Sequence, residues 1–274
     1  ATDTGKVPNT SATAASSGTD LNGMATKRAA DTLKDRMATY LSTLYQTTPD
    51  QVRFASGQVH IGAASISFAE AATQCWQGRV SLSSTGFYAT PDIHWDREAG
   101  RGAPFYYFAY GAAVAEVTVD TLTGESRVNR VDILHDVGNS INPALDIGQI
   151  EGAFIQGMGW LTTEDLRWND KGELASNAPA TYKIPAIGDT PAEFNVKLYD
   201  SQNPATTVFK SKAVGEPPFM LGISAWSAIR NAIASITDYQ FAPSLNTPAT
   251  AECILNAVQV AQLWQQKQQK NSQG

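Results

Sequence analysis

One segment, "DIGQIEGAFIQGMGW" (residues 146–160), most narrows the ways in which this 274-residue chain can fold. Its apolar side chains recur at helical spacing, but it also contains Gly148, Gly152, Gly157 and Gly159. Each glycine inside a helix costs about 1 kcal/mol relative to alanine. The pattern therefore predicts a helix with a very close neighbour, which is either another helix or sheet or a ligand. Gln149 is the polar residue placed to bind a ligand.

A single acidic residue precedes a second apolar helix. Glu216 lies between a glycine and two prolines in "SKAVGEPPF", and apolar residues follow at helical spacing from Phe219 to Ile233. Proline suits the first turn of a helix, where a missing N–H costs little. A buried helix would fix the carboxylate at its start. Two interpretations remain open at this point: a surface turn acid near the positive helix end, or a functional acid.

Hydrophobic periodicity predicts a mixed α+β chain without an internal repeat or a dividing linker. Ser67 and Glu70 form a capping box, and Thr247 with Pro248 is expected to begin the closing helix. The expected inward-facing strand residues are Val117, Val119, Val131 and Ile133. The predicted elements are helices over residues 19–45, 67–76 and 146–160, a hairpin over 52–62, an extended segment over 80–89, and strands over 105–120, 127–135 and 193–200.

Composition excludes some classes of function. The chain is 42% apolar and 17% charged, enough for a large core in one or two domains. A net charge of −6, a pI near 5.1 and scattered basic residues argue against a nucleic-acid or membrane-surface role. No apolar run is expected to reach the length of a membrane-spanning helix, and no signal peptide is expected at the start of the chain.

The cysteines and histidines are dispersed. Cys75 and Cys253 form no C-x-x-C pair, which favours a reducing cytoplasm. The histidines are His60, His94 and His135, each far from the others and from the cysteines. A protein-bound zinc or iron site is therefore not expected, and a structural role is favoured for each histidine.

The two ends of the chain are polar. Residues 1–18 are small and hydroxyl-rich, which is compatible with a flexible tail. Small residues that lead into a helix also expose N–H donors, which is the arrangement that binds anions. The start of the chain fits either a natural N-terminus or a piece cut from a longer protein. Residues 265–274 are expected to be a frayed tail.

Four segments of the sequence resemble the molybdenum-binding part of the xanthine dehydrogenase and aldehyde oxidase family, and the bacterial xanthine dehydrogenases most of all. They are "VPNTSATAASSGTDLNG", "GFYATPDIHWD", "DVGNSINPALDIGQIEGAFIQGMG" and "SKAVGEPPF", in the family's order. The resemblance implies an α+β fold of two-layer mixed sheets and helices, the second half of the family's molybdenum-cofactor-binding domain.

The same resemblance implies roles for particular residues. Glu216 matches the active-site base, which takes a proton from a hydroxyl ligand of a molybdenum that also carries oxo and sulfido ligands. Thr13, Ala14, Ala15 and Ser16 match the cradle of the molybdopterin cofactor, with Ala15 nearest the metal but not a ligand. Gln149 matches a glutamine that bonds the cofactor.

The resemblance also implies partners. Family subunits are several times longer, so residues 1–274 are expected to be the C-terminal part of a molybdenum subunit that is inactive alone. The implied partners are the upstream portion of that subunit, iron–sulfur clusters and FAD on other segments or subunits, and a purine substrate. The resulting heteromeric, dimerised complex is expected in the cytoplasm, without nucleic-acid or membrane partners.

Three readings of function follow. The first is part of an enzyme that oxidises xanthine or hypoxanthine to urate. The second keeps the cofactor but takes an aldehyde or another N-heterocycle as substrate. The third is a non-catalytic scaffolding fragment, against which the intact Glu216, Gln149 and "TAAS" argue.

Overall fold

The computed structural model describes Gly5, Ala14 and residues 16–272, which form two compact units. The first comprises the described residues as far as Tyr106 together with Thr206–Val208, and the second comprises Tyr107–Ala205 and the described residues from Phe209 onward. The boundary between the units, at Tyr106 and Tyr107, lies inside the aromatic stretch "PFYYFAYG". This stretch does not have the composition of a linker, so nothing in the sequence marks a boundary there.

Among the described residues, the first unit has two α-helices, both predicted. A π-helical turn, Thr19–Gly23, leads into α1, Met24–Leu44, and a shorter helix, α2, spans Phe68–Gln77. Ser67 caps α2, since its hydroxyl accepts a hydrogen bond from the Glu70 N–H at 3.1 Å.

The strands of the first unit form two small sheets. β1 (Val52–Ala55), β2 (Gln58–Ile61) and β3 (Ala64–Ser67) are antiparallel, and β4 (His94–Asp96) pairs with β5 (Arg101–Ala103). Ser56 and Gly57, both at positive φ, form the predicted two-residue turn between β1 and β2. The buried core of this unit is Met37, Ala38, Leu41, Val52, Val59, Ile61, Ala71 and Cys75.

The second unit is built on a three-stranded sheet. β6 (Gly111–Val119) is antiparallel to β7 (Ser126–His135), and β7 is parallel to β8 (Glu193–Leu198). α3, Pro143–Thr162, lies between the parallel strands in sequence and contains the predicted glycine-bearing helix. The expected strand over residues 105–120 spans only Gly111–Val119. Upstream of it, the Phe108 carbonyl accepts a hydrogen bond from the Lys212 ammonium instead of pairing with a strand.

The core of the second unit lies between the sheet and the helices. Val131 and Ile133 are buried as predicted, and Val117 is half-buried beside them. Phe154 of α3 packs on Phe194 of β8, with ring centroids 5.4 Å apart. This arrangement confirms the two-layer α+β prediction.

Two further helices complete the second unit, and the cap of the closing helix was predicted wrongly. α4 spans Ile223–Ala234 and α5 spans Ala251–Asn271. Thr250, not Thr247, caps α5, because the Ala249 N–H bonds to the Leu161 carbonyl outside the helix. The segment expected to be frayed from residue 265 is helical as far as Asn271.

The helical segment Pro217–Thr237 is long and apolar enough, by length and composition, to cross a membrane. The expectation that no run approaches this length is therefore wrong by this criterion. Helices in the core of soluble proteins can have the same length and composition. Ala225, Ile229 and Ile233 of this segment are buried in the folded unit, so we treat α4 as a core helix.

The predicted close neighbour of α3 is the 3₁₀ turn Pro217–Gly222. A Cβ added to Gly157 would overlap the backbone carbonyl of Phe219, and one added to Gly222 would lie 2.5 Å from the Gly157 carbonyl carbon. The two backbones can therefore touch only because both positions lack a side chain. Gly148 and Gly152 have no described neighbour within 4 Å of such a Cβ.

Gly157→Ala is expected to lower the local free energy of unfolding of α3 by about 1–3 kcal/mol, because the added methyl group forces α3 and the turn apart. Native-state hydrogen exchange of the α3 amides measures this change. Gly152→Ala is the matched control on the same helix and should have no effect or raise stability by up to about 1 kcal/mol. Equal destabilisation by both substitutions would contradict the close contact.

Candidate active site

Glu216 stands at the start of the turn Pro217–Gly222 and is exposed. Its backbone carbonyl accepts a hydrogen bond from the Phe219 N–H at 3.0 Å, but its side chain does not cap the turn. Among the described residues the carboxylate has no hydrogen-bond or ion-pair partner. Glu216 therefore has a fixed backbone and an available carboxylate, and helix capping does not account for it.

The residues after Glu216 are fixed by α3. Pro217 and Pro218 restrict the backbone of the first turn. Phe219 then stacks on Trp160 of α3, with ring centroids 5.1 Å apart and planes 16° from parallel. Together with the Gly157 contact, this stacking fixes the downstream side of Glu216.

The residues before Glu216 form what we call the Glu216 loop, residues 211–216. Ser211 makes a β-bridge with Gly138, and the Lys212 N–H donates to the Val137 carbonyl at 2.8 Å. The Ala213 N–H donates to the Tyr107 hydroxyl at 2.8 Å. The upstream side of Glu216 is thus bonded to two other segments of the second unit.

A buried ion pair lies at the base of this loop. The Lys212 ammonium donates to Asp136 at 2.5 Å, and the two side chains are 5% and 9% exposed. The ammonium also donates to the Phe108 carbonyl at 2.9 Å and lies 5.3 Å from the centre of the Tyr110 ring. These three partners, Asp136, Phe108 and Tyr110, belong to the second unit.

The carboxylate of Asp136 is bonded on both oxygens. Besides Lys212, it accepts hydrogen bonds from the Ser201 hydroxyl at 2.5 Å and the Gly138 N–H at 2.8 Å. Burial acts to raise the pKa of Asp136, but these hydrogen bonds and the Lys212 charge outweigh it and hold the pKa below its usual value. Asp136 is therefore ionised at neutral pH.

His135, next to Asp136, is the buried histidine of the second unit. It is 1% exposed, and neither ring nitrogen has a hydrogen-bond partner among the described residues. Burial lowers the pKa of His135; the Lys212 charge also lowers it, whereas Asp136 acts to raise it. The ring is therefore neutral in the folded chain, consistent with the structural role predicted for it.

Gln149 lies on an exposed part of α3 in the same unit. Its amide has no partner among the described residues, and the adjacent Gly148 leaves its backbone uncovered by them. Gln149 precedes Gly157 by two turns, about 12 Å along the helix axis. The structure thus places Gln149 and Glu216 on two packed elements.

The other predicted site residues belong to the first unit. Ala14 and Ser16 border a turn in which the Ser17 hydroxyl donates to the Ala14 carbonyl at 2.7 Å. Ser16 has a positive φ of 53°. Thr13 and Ala15 lie outside the described residues, so their predicted contacts with the cofactor remain predictions.

Sequence reasoning missed Asp136, Lys212 and Tyr107. Asp136 is the acidic residue of the motif "DVG", and Lys212 is the basic residue of the motif "SKAVGEPP". A charge of this kind among small and apolar residues was the available signal. Among the described residues, no group of three His, Cys, Asp or Glu side chains is arranged to hold a metal ion.

The fold places the chain in a structural class. It resembles CO dehydrogenase from Oligotropha carboxidovorans with a TM-score of 0.78 and 18% identity, over 95% of this chain and 31% of that one. It also resembles the aldehyde oxidoreductase from Desulfovibrio gigas with a TM-score of 0.70 and 24% identity, over 93% and 24% of the two chains. The chain therefore shares its fold with a part of each of these two proteins.

Sequence similarity identifies the family. Residues 1–191 match the molybdopterin cofactor-binding domain, and the chain belongs to that family. It is 43% identical over 260 residues to xanthine dehydrogenase/oxidase from Gallus gallus, covering 93% of this chain. The chain spans 18% of the length of that relative. Glu216 lies beyond the residues matched to the domain but within the second unit.

His135 gives the second unit a specific pH dependence. Folding lowers the pKa of His135 below its usual value of 6.5, so the unfolded chain binds a proton more readily than the folded chain. The folded unit therefore has its full stability above pH 6.5 and loses stability as the pH falls from 6.5 toward the pKa of the folded state. His135→Phe should reduce the loss of stability over this range by up to about 1.4 kcal/mol per pH unit.

Hydrogen exchange of the β7 amides at about pH 7.5 and about pH 5.5 tests this dependence. His94→Phe, at an exposed position of β4, is the matched control and should leave the wild-type dependence unchanged. An unaltered pH dependence in His135→Phe would show that this histidine does not titrate on unfolding.

Proposed function

We propose that the chain is part of a molybdenum hydroxylase in which Glu216 is the active-site base and Gln149 binds the molybdopterin cofactor. The observation that carries the proposal is the state of Glu216: an exposed carboxylate without a described partner, on a backbone fixed from both sides. A side chain at this position can stabilise a helix start by capping it, and Glu216 makes no such bond. The similarity to xanthine dehydrogenases supports the assignment.

The exposed part of α3 fits a cofactor of this kind. Gly148 leaves its backbone open to close approach, and the neighbouring Gln149 offers an amide that can donate and accept hydrogen bonds. Thr13, Ala14, Ala15 and Ser16, which match the family's cofactor-binding motif, are also proposed to bind the cofactor. The bound cofactor would supply the molybdenum that accepts electrons from the substrate.

The chemistry assigned to this chain is proton transfer. A carboxylate oxygen of Glu216 accepts the proton of the oxygen nucleophile as that oxygen attacks an electron-poor carbon of the substrate. The contacts on both sides of Glu216 keep the oxygen in place, so little reorganisation is needed during the reaction. Gln149 orients the cofactor through its amide.

We propose xanthine or hypoxanthine as the substrate and urate as the product, supported by the relatives' names. The fold similarity to an aldehyde oxidoreductase keeps aldehydes as the alternative. The chain spans 18% of the length of these relatives. The proposal therefore includes further parts of the enzyme: the upstream portion of the subunit, iron–sulfur and FAD partners, and a dimerised complex. Two free cysteines support a cytoplasmic location.

Glu216→Gln in the complete enzyme is expected to lower the rate of urate formation by about 10²–10⁴-fold with normal molybdenum content, because the amide cannot accept the proton. Glu193→Gln, at an exposed position of β8, is the matched control and should retain wild-type turnover. Rapid oxidation of aldehydes but not xanthine by the wild type would favour the alternative substrate. Turnover within tenfold of wild type in Glu216→Gln would exclude Glu216 as the base and favour a scaffolding role.

Gln149→Leu should reduce the molybdenum content of the purified enzyme several-fold, because an apolar side chain cannot replace the amide's hydrogen bonds. Gln156→Leu changes another exposed glutamine of α3 and should leave the content unchanged. Metal analysis of both variants measures the difference. Full molybdenum content in Gln149→Leu would remove this residue from the cofactor site.

A further inference from the structure

The ion pair between Asp136 and Lys212 is close in sequence to the proposed base. Lys212 precedes Glu216 by four residues, and Val214 between them packs against the core of the sheet and α3. The backbone from Lys212 to Glu216 therefore has little freedom once the Lys212 side chain is fixed. A displacement of Lys212 would be passed to the position of Glu216.

The hydrogen bonds of the pair fix its geometry in several directions. Asp136 accepts from Lys212, Ser201 and the Gly138 N–H, and Lys212 donates to Asp136 and to the Phe108 carbonyl. These groups come from the end of β7, from the segment after β8 and from the segment before β6. The ion pair is thus the point at which three segments meet the Glu216 loop.

Stability alone is a weak reason for burying these two charges. Removing an ammonium and a carboxylate from water is costly, and well-packed apolar side chains often serve a folded core as well or better. Apolar contacts, however, are not directional, whereas charged hydrogen bonds require particular distances and angles. The arrangement therefore favours a role in position rather than in overall stability.

We propose that Asp136 and Lys212 are positioning residues for Glu216, with Tyr107 completing the arrangement through its hydrogen bond to the Ala213 N–H. The inference rests on the proposed function, since it concerns the placement of the base assigned there. None of the three residues is proposed to touch the substrate. They act by fixing the backbone of the Glu216 loop.

The test compares two double variants in the complete enzyme. Asp136→Leu with Lys212→Met removes the buried pair without leaving an unpaired charge. Arg130→Met with Asp132→Leu removes an exposed pair of the same sheet, whose closest atoms are 2.7 Å apart, and is the matched control. The measurements are kcat and KM for xanthine, molybdenum content, and hydrogen exchange of the amides in residues 213–219.

Removal of the buried pair should lower kcat by about 10–100-fold, because a small misplacement of a catalytic group has an effect of that size. KM and molybdenum content should stay within twofold, and the loop amides should exchange at least about tenfold faster. The control should change none of these quantities. A wild-type kcat, or unchanged exchange of the loop amides, would overturn the proposal.

A Glu216→Gln background separates this inference from the proposed function. If the pair acts through Glu216, its removal lowers kcat little further in that background, although the loop still exchanges faster. The same fold loss in both backgrounds would show that the pair acts elsewhere. Wild-type turnover in Glu216→Gln alone would refute the proposed function, whereas unchanged loop exchange refutes only the positioning role.

Tyr107→Phe provides a milder variant if the double variant does not assemble. It removes one hydroxyl and leaves both charges paired, so the fold should persist. The expected result is a several-fold lower kcat at unchanged KM, with faster exchange of the Ala213 amide. Wild-type values for both kcat and exchange would contradict the proposal.

Discussion

The close contact between the backbones of α3 and the turn Pro217–Gly222 is the constraint on which the rest of the second unit depends. Gly157 and Gly222 allow this approach, and Trp160 stacks on Phe219 beside it. A side chain at either glycine would push the turn away from the helix, and Glu216 would move with the turn. Gly157 lowers the helical stability of α3, but its missing side chain allows the contact that sets the position of the Glu216 carboxylate.

Two kinds of interaction fix Glu216, and they respond differently to conditions. The downstream contact is made of backbone and aromatic surface, so salt and pH have little effect on it. The upstream contact includes the buried Asp136–Lys212 pair, which salt screens only weakly because both side chains are buried. The neutral His135 beside this pair makes the unit sensitive to acid before Asp136 itself begins to protonate.

Local patterns predicted the elements that carry the site but not the long-range bonds between them. Periodicity found α3, and the two prolines marked the turn after Glu216, because both signals are local in sequence. The Asp136–Lys212 bond joins residues 76 positions apart, which no periodicity encodes. The cap of α5 was placed three residues early because the bond from Ala249 to Leu161 is also a tertiary contact.

The parallel pairing of β7 with β8 has a consequence for how the chain folds. A parallel pair cannot close through a short turn, so α3 and its flanking loops form a long crossover that closes when β8 joins the sheet. Contacts between residues so far apart in sequence form slowly, because the entropy of closing the loop is lost before they form. The Glu216 loop bonds to residues at the end of β7 and follows β8 in the chain. We therefore expect the base to reach its place late in folding, after the helices and the β6–β7 hairpin have formed.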